Sequence, residues 1–286
     1  MDVSVGVMAY NEGNDIAGLL RALGAQKTQS VRISEIIVVS SGSTDATDDI
    51  VRGFAQEDHR IRLVRQQRRM GKASAINVFL KRARSRILVM IGADTVPSRT
   101  AIEMVCKPLT DKRVGIVGGR PIPTNSADTV VGYAVNLQWR LHHLISSIRP
   151  KFGELIAFRK AFEKLPITAV DEEQISQLIA AQGYRGTYAA SAIVRNRGPA
   201  TVGDFLRQRR RIYCGHLQLK HDTGYEASTM SSWRIAWLAA SVVRPREAYL
   251  AVVAASLEAM ARVLGLYDCC TQRKHHIWQI AESAKR

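Results

Sequence analysis

The chain has 286 residues, room for one large α/β domain with an appendage, and 46% of them are hydrophobic, so a substantial core can form. Lysine and arginine total 41 against 25 aspartates and glutamates, a net charge of +16 that argues for an anionic partner: nucleotide phosphates, nucleic acid or an anionic membrane surface. The four cysteines, Cys106, Cys214, Cys269 and Cys270, include no CxxC pair, which speaks against a disulfide framework, and the run from Cys269-Cys270 to His275-His276 fits no usual zinc spacing. No signal peptide is recognisable, so reduced cytosolic thiols are expected.

In chain order, Val3–Val7 alternates and reads as a strand, and Ile16, Leu19, Leu20 and Leu23 share one face of a helix over residues 14–23. Glu35–Val39 is a second strand. Ser40 to Asp45 is a turn and cap that opens a helix reaching Phe54. A short strand over 61–64 and a helix over 73–84 follow. Residues 86–91 form the next strand, whose apolar run Ile87–Ile91 has no polar alternation and so reads as buried on both faces. It ends in Gly92-Ala93-Asp94. A carboxylate at the carboxyl end of such a strand stands where open α/β sheets bind ligands, which makes Asp94 the first candidate for holding a metal and, through it, a phosphate. Beyond residue 114 the pattern is less regular: a strand near 115–118, a long helix over 129–147 and a helix over 172–182. Strands alternating with helices predict a mostly parallel central sheet flanked by helices.

The tail reads differently. Trp233, Trp237, Leu238, Val242 and Val243 lie on an apolar stretch closed by Arg244-Pro245-Arg246, and Tyr249 to Leu266 is a second mostly apolar helix. No stretch is expected to span a bilayer. Helices edged by tryptophan and arginine suit a membrane interface, an ordinary helical subdomain being the alternative. The expected organisation is a domain over 1–228, divided near residue 113, and a helical tail over 229–286. No GxGxxG follows the first strand, and Gly71-Lys72 is followed by alanine, so neither a dinucleotide fingerprint nor a P-loop is present.

Four ordered segments carry a resemblance: Ala9-Tyr10-Asn11-Glu12, the stretch from Val38 to Thr47, Gly71 to Asn77, and Ala93-Asp94. Together they resemble the inverting family-2 glycosyltransferases of the GT-A fold. Gly153-Glu154 and the residues to Arg159 look like that family's acceptor-side segment. Asp171-Glu172-Glu173, ahead of Gly183-Tyr184-Arg185, looks like its acidic catalytic motif, and Gln208 to Ile212 resembles the QxxRW motif of its membrane-associated synthases. The resemblance implies a nucleoside-diphosphate sugar donor, UDP- or GDP-linked, bound by Ala9, Tyr10, Asn11, Glu12, Ser41, Lys72, Asn77, Ala93, Asp94, Gln208 and Arg211. It implies Mg²⁺ or Mn²⁺ on Asp94, an acceptor that is a glycan or is lipid-linked, and a place on the cytoplasmic face of the cell membrane. A nucleic-acid partner becomes unlikely on this reading. Transfer needs a base for the acceptor hydroxyl, and Asp171 and Glu172 are the candidates. Counting back from Gly183 aligns Glu172 with the motif's aspartate, whereas Asp171 matches it in residue type. Asp45 is read equally as a helix cap. Arg209 and Arg210 are expected to meet phosphate or lipid headgroups, and His142 and His143 to be surface or interface residues. Three positions depart from the pattern: Gly92 replaces the first acid of Asp-x-Asp, Ser40 and Ser41 replace an acidic pair, and Ile212 replaces the tryptophan of QxxRW. The rival readings are a sugar nucleotidyltransferase, which would want a basic glycine-rich loop after the first strand, and a non-catalytic nucleic-acid-binding protein.

Overall fold

A computed structural model describes residues 1–273 and 282–284. The N-terminal half runs β1 (Asp2–Ala9), α1 (Ile16–Gly24), β2 (Arg32–Ser41), α2 (Thr47–Glu57), β3 (Ile61–Gln66), α3 (Lys72–Arg82) and β4 (Ile87–Gly92). After it come β5 (Val96–Pro97), α4 (Ala101–Cys106), β6 (Val114–Pro123), α5 (Val130–Ile148), β7 (Leu155–Arg159), α6 (Asp171–Ala181), β8 (Arg185–Asn196), α7 (Val202–Thr223), α8 (Ser232–Val242) and α9 (Ala248–Cys270). The strands form one sheet in the order β3-β2-β1-β4-β7-β6-β8-β5.

The four N-terminal strands pair in parallel, so Ala9, Ser41, Gln66 and Gly92 end side by side at one edge. Beyond β4 the sheet becomes mixed: β7 runs antiparallel to both β4 and β6, and β6 runs parallel to β8. This is a GT-A-type architecture. Two hydrophobic layers cover the sheet. Ile16, Leu19, Leu20, Leu23 and Val51 from α1 and α2 join Ile102 and Val105 of α4 on one face. Ile76, Phe79 and Leu80 of α3 join Ile175 and Ile179 of α6 on the other. Glycine at position 6 is required by the second layer, since a Cβ there would stand 2.7 Å from the Phe79 ring. Strand β8 was not anticipated, because Tyr188-Ala-Ala-Ser-Ala192 offers few of the branched residues that favour strands.

A third cluster joins Val131, Tyr133, Val135 and Leu137 of α5 to Phe205 of α7 and Ala254 of α9. Helix α9 lies close along α7: a Cβ on Gly265 would come within 2.6 Å of the Arg210 carbonyl oxygen, and Ala261 is fully buried. Two bidentate ion pairs fasten the helices. Arg209 donates to Glu258 at 2.8 and 2.9 Å, and Arg210 donates to Asp268 at 2.6 Å from two nitrogens. These two arginines therefore hold the tail and do not point to lipid headgroups. The stretch Pro245–Cys270 is also long and apolar enough, by length and composition, to cross a membrane, which the sequence reading did not expect. Glu258 and Asp268 nevertheless face α7, so the helix is two-sided. Replacing Glu258 with alanine leaves the half-buried Arg209 without its counter-charge. Glu258→Ala is expected to lower stability by about 3 kcal/mol or more, read from urea unfolding; an unchanged midpoint would show that the pair is not holding α9.

Candidate active site

The carboxyl ends of β1, β2 and β4 open into a cleft of about 500 Å³, closed on its far side by the residues before β7, the start of α6 and the middle of α7. Ala9, Tyr10, Glu12, Ser41, Lys72, Ala93, Asp94, Gly153, Glu154, Glu172, Gln208 and Arg211, all singled out from the sequence, line it together.

At the β1 end, Arg69 lies over the Tyr10 ring, 4.2 Å from its centroid. The loop carrying Arg69 passes so close to β2 that only glycine fits at position 42, where φ is +72° and a Cβ would meet Arg68 backbone at 2.8 Å. Ser41 Oγ accepts the Met70 N–H at 3.3 Å and so ties that loop to the strand end. Asn11 does not line the cleft. It adopts φ +53°, its amide oxygen accepts the Thr44 N–H at 2.8 Å, and it knits the β1 turn to the β2 turn. Asp45 accepts Thr47 N–H at 3.1 Å and Gly13 N–H at 2.9 Å, and so ties the start of α2 to the turn after β1. Asn77 is likewise removed from the donor set: its amide both donates to the Leu165 carbonyl (2.9 Å) and accepts the Leu165 N–H (2.7 Å), which fixes the loop before α6.

Carboxylates crowd the centre. A Cβ placed on Gly92 would stand 3.0 Å from Asp94 Oδ1 and 3.1 Å from Glu154 Oε2. Burial first, and then the Asp94 charge, raises the pKa of Glu154 above the usual carboxylate range. Lys72, at the first turn of α3, donates to Glu172 Oε1 at 2.5 Å across the cleft. Burial works against the Lys72 charge, yet Glu172 and Asp171 hold its pKa above the ordinary lysine value. For Glu172 burial pushes upward, and the ion pair with Lys72 outweighs it, so its pKa is lowered.

Asp171 behaves differently from its neighbour. It is fully buried, does not line the cleft, and neither carboxylate oxygen has a hydrogen-bond partner among the described residues. Burial raises its pKa despite the nearby Lys72 and Arg211 charges. Arg211 donates to the Ala169 carbonyl at 2.7 Å, and burial lowers its pKa to about 10.

The far wall holds groups that sequence reasoning missed. His142, expected at the surface or an interface, is 5% exposed and packs edge-on against Trp139, and its Nε2 has no hydrogen-bond partner among the described residues. His143 shares a hydrogen bond with the Tyr188 hydroxyl at 2.9 Å. Lys151 pairs with Glu173 at 3.1 Å, and Tyr225 donates to the other Glu173 oxygen at 2.9 Å. The Arg65–Arg69 run was a visible signal for the Tyr10 contact. Nothing local to residues 139 and 142 announced theirs.

Residues 4–167 match the model of glycosyl transferase family 2, and residues 87–268 match that of glycosyl transferase family group 2. The chain belongs to glycosyl transferase family 2. It is 26% identical over 229 residues to the poly-beta-1,6-N-acetyl-D-glucosamine synthase of Staphylococcus aureus, covering 74% of this chain and 54% of that protein. It is 28% identical over 117 residues to glycosyltransferase GlyG of Streptococcus pneumoniae, covering 41% and 38%. The chain thus spans about half the length, or less, of these relatives. Among solved structures, a mannosyltransferase from Pyrobaculum calidifontis in complex with GDP-Man and Mn²⁺ superposes with a TM-score of 0.67 at 23% identity, covering 95% of this chain and 88% of that one. A glucosyl-3-phosphoglycerate synthase from Mycobacterium tuberculosis in complex with Mn²⁺ and UDP gives 0.55 at 18% identity, covering 79% and 81%. At these identities the likeness is one of fold.

In this family-2 chain the groups suited to a hard divalent cation are carboxylates at the end of β4. Among the described residues no cluster of three or more His, Cys, Asp or Glu could hold a metal, and His275 and His276 lie outside them. Asp94 and Glu154 would therefore need oxygens from a bound nucleotide and water, which is the usual habit of Mg²⁺ at phosphate sites. The buried wall carries a pH signature of its own. Burial first, then the Lys151 charge, lowers the pKa of His142 from 6.5 to about 3. Between those values the unfolded chain binds the proton and the folded chain does not, so stability is lost as pH falls, by at most about 1.4 kcal/mol per pH unit. His142→Gln is expected to flatten the acid limb of a melting-temperature profile below pH 6.5; an unchanged limb would contradict a buried neutral His142.

Proposed function

We propose that the protein is an inverting glycosyltransferase that moves a sugar from a nucleoside diphosphate, UDP- or GDP-linked, to a hydroxyl of a glycan or lipid-linked acceptor. The observation that carries the reading is the juxtaposition in one cleft of Asp94 at the β4 end, the Lys72–Glu172 pair, and the Tyr10–Arg69 pair at the β1 end. Tyr10 offers a flat face for the base, and Arg69 and Lys72 offer cations for the diphosphate. Asp94 would hold a Mg²⁺ or Mn²⁺. Bound there, the cation would neutralise the departing diphosphate, so no acid is needed to protonate it.

Glu172 is the better-placed base of the two candidates, because it lines the cleft and Asp171 does not. Its hold on Lys72 makes it a weak base as it stands. A diphosphate entering the cleft offers Lys72 a more highly charged anion. Once Lys72 turns to it, burial and the neighbouring carboxylates push the Glu172 pKa upward, toward the range where it can take the acceptor proton. Donor binding would in this way arm the base. Asp171, buried behind it, lies within the influence of the Lys72 and Arg211 charges. Glu172→Gln is expected to lower transfer by about 10²–10⁴-fold while nucleotide binding persists, measured by mass spectrometry of product with a panel of UDP- and GDP-sugars. Transfer at the normal rate, or a product that retains the donor's anomeric configuration, would refute this mechanism.

The tail supports a place on a membrane. Trp233 and Trp237 of α8 are 71% and 65% exposed, and Tyr249, Val252, Met260, Val263, Leu266 and Tyr267 of α9 are exposed as well. Arg234, Arg244 and Arg246 flank them. The inner face of α9 is bound to α7 through Glu258 and Asp268, so the helix would lie in the interface and not cross it. On this reading the protein is monotopic, on the cytoplasmic face. Replacing Trp233 and Trp237 with serine is expected to weaken sedimentation with vesicles containing anionic lipid, without lowering the melting temperature; undiminished binding would remove α8 from the anchor.

A further inference from the structure

Gly92 poses a question of charge. It stands two residues before Asp94 and lacks a side chain, and the space in front of it is occupied from another strand. Glu154 immediately precedes β7, which pairs antiparallel with β4, and the Gly92 N–H donates to the Glu154 carbonyl at 3.1 Å. That hydrogen bond locks residue 154 opposite residue 92. The Glu154 side chain then reaches forward until Oε2 lies 3.1 Å from where a Gly92 Cβ would stand, beside Asp94 Oδ1 at 3.0 Å from the same point. A side chain at position 92 would crowd the Glu154 carboxylate and require it to shift, and with glycine there Glu154 fits as it stands. Its other oxygen, Oε1, accepts from Asn196 Nδ2 at a long 3.4 Å. Lys72, the lysine whose charge bears on Glu154, donates a hydrogen bond to Glu172. Two half-buried carboxylates brought to one point repel unless a cation joins them. Beside it in the chain, at Gly153, the cleft wall carries His142 Nε2, a buried nitrogen without a hydrogen-bond partner among the described residues, 3.8 Å from where a Gly153 Cβ would stand. The cleft therefore presents polar atoms, on both sides of residues 153–154, that a bound ligand would satisfy.

We propose that Glu154 is the second protein ligand of the divalent cation. It supplies from β7 the carboxylate that Gly92 does not supply from β4, so that Asp94 and Glu154 grip the metal together. The assignment rests on the donor-binding reading above, and it moves Glu154 from the acceptor side to the metal. It also explains why the two positions belong together: a glycine at 92 and a glutamate at 154 are two halves of one arrangement.

The test is Mn²⁺ binding, followed by the loss of the free-ion electron paramagnetic resonance signal, with UDP or GDP present at saturation. Metal-free nucleotide binding is measured in parallel by calorimetry. Glu154→Gln keeps the shape of the side chain, and it is expected to weaken Mn²⁺ binding at least about tenfold while metal-free nucleotide binding is unchanged. The exchanged variant Gly92→Asp with Glu154→Gly returns a carboxylate to the same place from the other strand and should recover Mn²⁺ binding. Unchanged Mn²⁺ affinity in Glu154→Gln, or no recovery in a folded exchanged variant, overturns the assignment. If the unaltered protein binds nucleotide but no Mn²⁺, the metal assignment alone fails. If it binds neither nucleotide, the donor-binding reading fails as well.

Discussion

The cleft is organised by negative charge held out of water. Asp94, Glu154, Asp171 and Glu172 approach the end of β4 from three elements, and Lys72 and Arg211 are the cations whose charges bear on them. Like charges with reduced solvation are costly, and the fold tolerates them because the surrounding sheet and helices are fixed by burial elsewhere. Such a site is poised to take up cations and to change the protonation of its acids when the balance shifts. Lys72 is the pivot. It can neutralise Glu172 or a diphosphate, and whichever it leaves becomes more basic or more weakly held.

The rest of the architecture serves that arrangement. Parallel strands β1, β2 and β4 bring their carboxyl ends level, so Tyr10, Ser41 and Asp94 meet although they are distant in the chain. The antiparallel entry of β7 brings Glu154 against Gly92, and the loop before α6 is pinned by Asn77, which sets Glu172 across from Lys72. Helix α7 lines the cleft with Gln208 to Arg211, and from it Arg209 and Arg210 also reach Glu258 and Asp268 of α9. One helix thereby links the catalytic cleft to the face proposed to rest on a membrane.

Much of the donor half was legible in the sequence because its signals are local. Ile87–Ile91 is a continuous apolar run, Leu19, Leu20 and Leu23 mark one face of a helix, and Asp94 closes a buried strand. The acceptor half was harder to read because its determinants are long-range. Strand β8 is built from small residues that carry little strand preference. Asn11 and Asn77 look like ligand-binding amides, and only their tertiary partners, Thr44 and Leu165, show them to be structural. Arg209 and Arg210 read as ligands for phosphate or headgroups, and their partners Glu258 and Asp268 lie on a helix far along the chain. The choice between Asp171 and Glu172 turns on which side chain reaches the cleft, and adjacent residues in a helix point different ways whatever their chemistry. Gly92 read as a missing acid, and the acid proposed to replace it stands just before β7, a strand whose pairing no local pattern discloses.

The account's central claim is that this cleft binds a nucleoside diphosphate through a divalent cation held at the end of β4. Thermal denaturation of the unaltered protein with UDP or GDP, with Mn²⁺ and then with excess chelator, tests it most directly, because a ligand that binds only the folded state raises the melting temperature. One of the two nucleotides should raise it with Mn²⁺ present, and chelator should remove most of that rise. A rise that chelator leaves intact, or no rise with either nucleotide, would contradict the claim.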